Sequence, residues 1–131
     1  MEITEEKMSD VFTKYHLKGF PFEAVMHKFT APDQGYPHCH PFGFTTHILQ
    51  GSYVELIYNK ANGNYMEMER EQGTSHFVPA RLIHKIIDLP EGECWTIITP
   101  QAWEKEPCFW KFEDGVAYKR QWNEKKFKIV E

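Results

Sequence analysis

From Phe20 to Trp122 the chain is repeatedly interrupted by turn-forming residues, often about eight to twelve positions apart, a rhythm too fast for helices and suited to short strands. The interruptions are Gly35, Gly51-Ser52, Asn62-Gly63, Gly73, Pro79, Pro90-Glu91-Gly92 and Asp114-Gly115. Between them, Ser52 to Tyr58 alternates with Val54, Leu56 and Tyr58 on one face, and Tyr65 to Arg70 alternates with Met66 and Met68 against Glu67 and Glu69. These two segments predict a hairpin. Further strands are predicted over 23–29, within the long stretch 37–50, over 83–89 and over 94–99, with a last hairpin from 109–112 and 116–122. Many short strands predict an all-β sandwich or small barrel, which closes its edges and encloses room for side chains or a small ligand. The first residues read differently. Thr4 can cap a helix, Met8, Val11, Phe12 and Tyr15 recur at helical spacing, and Gly19 and Pro21 stop it. The expected organisation is one domain overall: a short N-terminal helical segment over 1–19, then a β-barrel over 20–131 whose tail from Asn123 is a solvated end.

Composition narrows the function classes. The 131 residues are 41% hydrophobic, enough to build a core and to exclude a disordered chain. Fifteen Lys+Arg against nineteen Asp+Glu, a net charge of -4, lacks the basic excess of a phosphate-backbone binder, so no nucleic-acid partner is expected. No apolar run is long enough to span a bilayer, and MEITEEKMSD is not patterned as a secretory signal. The three cysteines, Cys39, Cys94 and Cys108, are odd in number and irregularly spaced, which predicts reduced thiols in a cytoplasmic protein.

Chemistry concentrates on the histidines. His38 and His40 are two apart in a stretch readable as a strand, so their side chains share a face and can grip one divalent ion. His84 lies inside the apolar strand LIHKIIDL, where an imidazole needs a polar partner or a metal. Against this, H-x-H pairs arise by chance and a lone strand histidine is usually a satisfied core or surface group. His47, seven residues after His40, falls on the opposite face unless a bulge near Pro41 or Gly43 reverses it. His76 is a candidate to enter the cavity behind the ligands, whereas His16 and His27 have no companions and read as incidental. Cys39, between the two histidines, should point away from them as a small buried hydrophobe.

The residues around these histidines resemble the cupin superfamily. Its first motif runs Gly, five residues, H-x-H, three or four residues, Glu, six residues, Gly. This chain reads His38-Cys39-His40, three residues, Phe44, six residues, Gly51, with Gly35 displaced toward His38. The second motif runs Gly, five residues, P-x-G, two residues, His, three residues, Asn. Here it is Gly73, five residues, Pro79-Ala80-Arg81, two residues, His84, three residues, Asp88. HCHPFGFTTHILQGSYVE, HKIIDL and CWTIITP also look like a group of small bacterial and phage-borne cupins. The resemblance covers about residues 35 to 100 and implies a double-stranded β-helix, or jelly-roll barrel. It implies a metal held by His38, His40 and His84, with Phe44 where the family has a fourth, carboxylate ligand. Thiol dioxygenases of the superfamily also lack that Glu and use three His on iron.

The expected function is therefore a mononuclear metal-dependent enzyme acting on a small molecule. Fe(II)-dependent dioxygenase chemistry ranks first, and Zn, Ni or Mn remain open because imidazoles alone do not choose. The alternatives are a non-catalytic barrel holding a small ligand or metal, and a metal-free isomerase with a histidine base. Arg81, on the turn before His84, is a candidate contact for a substrate carboxylate or phosphate; its bland reading is a turn salt bridge. Asp88 either orients a ligand or simply ends its strand. Trp95, Trp103, Trp110 and Trp122 read as core and subunit interface, consistent with a homodimer without nucleic-acid or membrane partners.

Overall fold

The computed structural model describes residues 1–130, and among them there is no helix, so none that could cross a membrane. Thirteen strands form two antiparallel sheets. The first contains β1 (Glu2–Lys7), β2 (Phe12–Lys18), β3 (Ala24–Phe29), β5 (Phe44–Gln50), β8 (Ser75–Val78) and β10 (Cys94–Pro100), in the order β1-β2-β3-β10-β5-β8. The second contains β4 (His38–Cys39), β6 (Tyr53–Tyr58), β7 (Tyr65–Arg70), β9 (Ile83–Asp88), β11 (Cys108–Glu113), β12 (Val116–Gln121) and β13 (Lys128–Ile129), in the order β13-β12-β11-β4-β9-β6-β7. The core lies between the sheets. Phe29, Ile48 and Cys94 of the first pack against Tyr53, Ile86 and Leu89 of the second, while Val25, Phe44, Val78 and Ile98 form an adjoining cluster. A third cluster, Cys39, Ile83, Cys108 and Trp110, is drawn from the second sheet; strand alternation turns Cys39 and Ile83 away from His38 and His84.

The expected N-terminal helix is absent: residues 2–18 form a hairpin, with β2 paired along its length to β3. The spacing of Met8, Val11, Phe12 and Tyr15 fits a helix, but the same stretch also alternates. Thr13, Tyr15 and Leu17 share one face of β2, Phe12 and His16 the other, and Ser9-Asp10 makes the turn. Six register pairs from Phe12↔Phe29 to Leu17↔Ala24 decide between the patterns, because an isolated helix this short is marginal. The tail also departs from a free end, since β13 pairs with β12 through Tyr118↔Ile129 and Lys119↔Lys128.

The expectation of three reduced thiols is corrected at two positions. β4 pairs with β11 with Cys39 opposite Cys108, their Cα atoms are 5.4 Å apart, and the two are joined as a disulfide. The partners are 69 residues apart, so their meeting is a product of sheet topology rather than local spacing. Cys94 is free and buried, and burial pushes its thiol up to about 11.

The long stretch 37–50 is broken in two. Pro41, Phe42 and Gly43 separate β4, in the second sheet, from β5, in the first, so the chain crosses between sheets just after His40. His40 itself lies beyond the strand, anchored by its backbone N–H donating to the Ala80 carbonyl at 3.1 Å. This contact brings the first histidine segment against the turn that leads into His84.

Candidate metal centre

Sheet register and one turn bring the histidines together. His38 on β4 is the direct register partner of His84 on β9. Each strand contributes one inward imidazole there, and the turn after β4 swings His40 onto the same side. The ring centroids are 5.0 Å apart for His38–His40, 4.8 Å for His38–His84 and 4.9 Å for His40–His84. One ring nitrogen from each lies within 4.8 Å of the others.

The polar bookkeeping of the rings is incomplete in a specific way. His84 Nδ1–H donates to Glu55 Oε1 at 2.7 Å, which fixes the tautomer and leaves the Nε2 lone pair free. That Nε2 is buried without a partner, as is Nδ1 of His40. A buried imidazole nitrogen without a partner is costly, and three imidazoles this close can each turn one lone pair to a single divalent ion. Burial first, then the nearby His84, pushes His38 down to about 4; burial also holds His40 well below its usual value. Both rings are therefore neutral at physiological pH, the state a metal requires.

Glu55 is a candidate site residue that the sequence alone did not single out. It is fully buried at 0% exposure on β6. Its carboxylate accepts from His84 at 2.7 Å and from Arg70 Nε at 2.8 Å, and lies 3.7 Å from His76 Nε2. Burial alone would raise its pKa, but the hydrogen bonds and charges of His84 and Arg70 outweigh that and leave it lowered. Read by hydrophobicity, β6 should bury Val54 and Leu56. Instead it buries Tyr53 and Glu55, because the ionic partners on β9 and β7 compensate the charge. The available signal was a Glu in register with Tyr53 and Ile57, at the centre of an otherwise apolar strand.

The other sequence candidates separate. His76 stands behind the triad, hydrogen-bonded to the Tyr53 hydroxyl at 3.2 Å, and burial pushes it down to about 4. His47 lies on the face of β5 opposite Thr46 and Ile48, with Nδ1 hydrogen-bonded to Ser75 Oγ at 2.6 Å, away from the three rings. The Arg81 side chain is 77% exposed and sits 3.8 Å from Glu104, outside the histidine cavity. Asp88 is exposed at the end of β9. Trp110 is buried, while Trp103 and Trp122 are exposed. His16 hydrogen-bonds Glu6 at 2.7 Å, but His27, read as incidental, faces the same cavity as the triad with its Nε2 unpartnered. Burial, then Lys14 and His16, pushes His27 down to about 3.

The cavity in front of the triad has a volume of ≈ 80 Å³. Phe12, Phe29, Phe44, Val78 and Ile98 give it apolar walls, and Thr46, Thr96, Asp33 and His27 supply polar points. Phe44 stands edge-on to His40 with centroids 5.0 Å apart, so a hydrocarbon wall flanks the triad where the resemblance led to a carboxylate.

No protein-family model matches the chain, and no curated protein matches it. Solved structures do. Hydroxypropylphosphonic acid epoxidase from S. wedmorenis superposes with a TM-score of 0.62 at 16% identity, over 76% of this chain and 56% of its own. The iron(II) form of HppE gives a TM-score of 0.61 at 16% identity, over 76% and 57%. The capsular polysaccharide assembling protein CapF from Staphylococcus aureus gives 0.61 at 12% identity, over 76% and 28%. The chain thus spans just over half the length of the first and under a third of the last. At these identities the likeness establishes the fold, and the fold is that of a cupin.

Proposed function

We propose that this protein is a mononuclear metal-binding cupin acting on a small molecule, with Fe(II)-dependent dioxygenase-type oxidation as its leading chemistry. The observation that carries the reading is the convergence of His38, His40 and His84 with orphaned nitrogens on His40 and His84. These three residues would hold the ion. When bound, it supplies a Lewis-acidic centre with open positions and, as Fe(II), an electron source for oxygen chemistry. A structural neighbour described as an iron(II) protein supports iron; Zn, Ni and Mn fit the same three imidazoles.

The remaining steps belong to the chain's own residues. Glu55 holds the His84 proton at Nδ1 and keeps Nε2 available. Arg70 balances the charge of Glu55, which favours the ionised carboxylate and leaves the proton on His84 Nδ1. The phenyl rings of Phe12, Phe29 and Phe44 line the cavity with hydrocarbon, which disfavours bulk water beside the triad. Its ≈ 80 Å³ corresponds to a few waters at roughly 30 Å³ each, so only a small substrate, or one end of a larger one, can enter without side chains moving.

A second reading has its own observation. Phe44 leaves the site without a protein carboxylate and narrows it beside His40, as a module that binds a metal or small ligand without turnover would also do. Oxygen uptake separates the two. Iron-loaded protein is mixed with a panel of small thiols and hydroxy acids in an oxygen electrode. The enzyme reading expects substrate-dependent uptake that His84→Ala abolishes. Stoichiometric iron with no uptake across the panel would leave the binding module.

A further inference from the structure

A second, larger pocket of ≈ 620 Å³ lies behind β4, on the face of the second sheet turned away from the triad. Cys39 and Cys108 line it, and strand alternation directs Cys39 away from His38. Four cationic side chains converge there from separate parts of the chain: Lys60 from the β6–β7 turn, Arg81 from the turn before β9, Lys105 from the segment before β11, and Lys119 from β12. No carboxylate lines the pocket among the described residues, although the whole chain carries a net charge of -4. Glu104 sits at the rim, 3.8 Å from Arg81. One wall is apolar: Trp110 is 6% exposed and joined by Val116 and Ala117, with Lys119 5.5 Å from the indole centroid.

Four like charges around one concavity repel one another; Glu104 at the rim offsets one of them, and an entering anion would offset the rest. At Lys105, burial first, then Lys119 and Arg81, lowers the ammonium pKa, and the Glu104 carboxylate offsets this only in part. The Lys105 Nζ meets two weak sulfur acceptors, at 2.7 Å from Cys39 Sγ and 3.7 Å from Cys108 Sγ, and one backbone carbonyl, that of Glu106, at 3.1 Å, with no carboxylate among them. The volume falls within the range of small-molecule sites, unlike the cavity at the triad.

We infer that this outer pocket is a binding site for a small organic anion, a phosphate monoester with a compact apolar body, whose charged head is held by Lys105, Lys119, Lys60 and Arg81 while its body rests on the Trp110 wall. A phosphate offers three acceptor oxygens to such a cluster, and Arg81 can engage two of them at once. The site is separate from the histidine centre and does not depend on what that centre binds.

Phenyl phosphate, inorganic phosphate and phenol serve as probes, titrated into the full chain and followed by amide chemical shifts. Saturable binding of phenyl phosphate is expected, at least about tenfold tighter than inorganic phosphate or phenol because head and body bind together. It should weaken as salt rises. Arg81→Gln combined with Lys119→Gln should weaken it by a further factor of about ten or more. Both side chains contact solvent, and an unchanged β-sheet circular dichroism spectrum checks the fold. Shifts should cluster on β11, β12 and the 59–64 turn. Absence of saturation, equal affinity for phosphate and phenyl phosphate, or unchanged affinity in the double variant would each overturn the assignment.

Discussion

Replacing Glu55 by Gln keeps the side chain's volume and removes only its charge, so it isolates what the buried carboxylate does. In the native protein one oxygen accepts from His84 at 2.7 Å and the other from Arg70 at 2.8 Å. An amide has one acceptor oxygen. If it accepts from His84, its NH2 faces the Arg70 guanidinium, donor against donor; if it turns, His84 loses its acceptor. Breaking a buried ion pair by removing one partner costs about 3–5 kcal/mol. The Arg70 side chain retains 18% exposure and can recruit water, which places the cost near ~3 kcal/mol. For a domain of this size that corresponds to a fall in Tm of roughly 10 °C. Losing the group that fixes a ligand's tautomer typically costs about 10–100-fold in metal affinity. The assays are a thermal melt of the metal-free protein and a metal titration against a competing chelator. Arg70→Met is the comparison: it should cost stability yet keep metal affinity closer to native, because Glu55 still accepts from His84. Metal affinity within twofold of native for Glu55→Gln, with the melting point lowered, would refute the claim that Glu55 orients His84.

Other outcomes follow from the same geometry. Reducing the Cys39–Cys108 disulfide, whose partners are 69 residues apart, should lower stability by about 4 kcal/mol on loop-entropy grounds and weaken metal binding, since Cys39 lies between His38 and His40; an unchanged urea midpoint under reductant would contradict this. His27 is held neutral with a pKa of about 3, below the unfolded value near 6.5, so the unfolded chain takes up a proton that the folded chain does not. Its contribution is therefore complete above pH 6.5 and declines as pH falls toward 3, by about 2 kcal/mol between pH 7 and 5. His27→Phe should flatten the pH dependence of denaturant midpoints over that interval, and an unchanged slope would count against it. Phe44→Glu should lower the melting point of the metal-free protein, by burying a carboxylate among Val25, Val78 and Ile98, and regain much of it when metal is added; failure of metal to restore stability would show that position 44 does not reach the ion.

Much of the barrel was legible because its strands obey local rules. Tyr65–Arg70 and the Asp114-Gly115 hairpin turn fall where alternation and turn chemistry place them, with φ of 50° at Asp114 and 76° at Gly115. The histidine triad was legible because spacing two apart and a conspicuous imidazole in an apolar strand are sequence facts. What was hidden depends on partners far along the chain. The β1–β2 hairpin is decided by pairing with β3, the disulfide by the meeting of β4 and β11, and the burial of Glu55 by His84, 29 residues away. His27 read as isolated because the Phe rings and the triad that surround it come from other strands. Arg81 was placed by its nearness to His84 in sequence, but the turn directs it to the opposite side of the sheet.

The central claim is that three imidazoles share one ion. Untagged protein, loaded with Fe(II) and desalted, is analysed for metal alongside a His38→Ala/His84→Ala double variant of confirmed fold. The account predicts about one ion per native chain and almost none in the variant. Full occupancy in the variant, or no retained metal in the native protein, would contradict it.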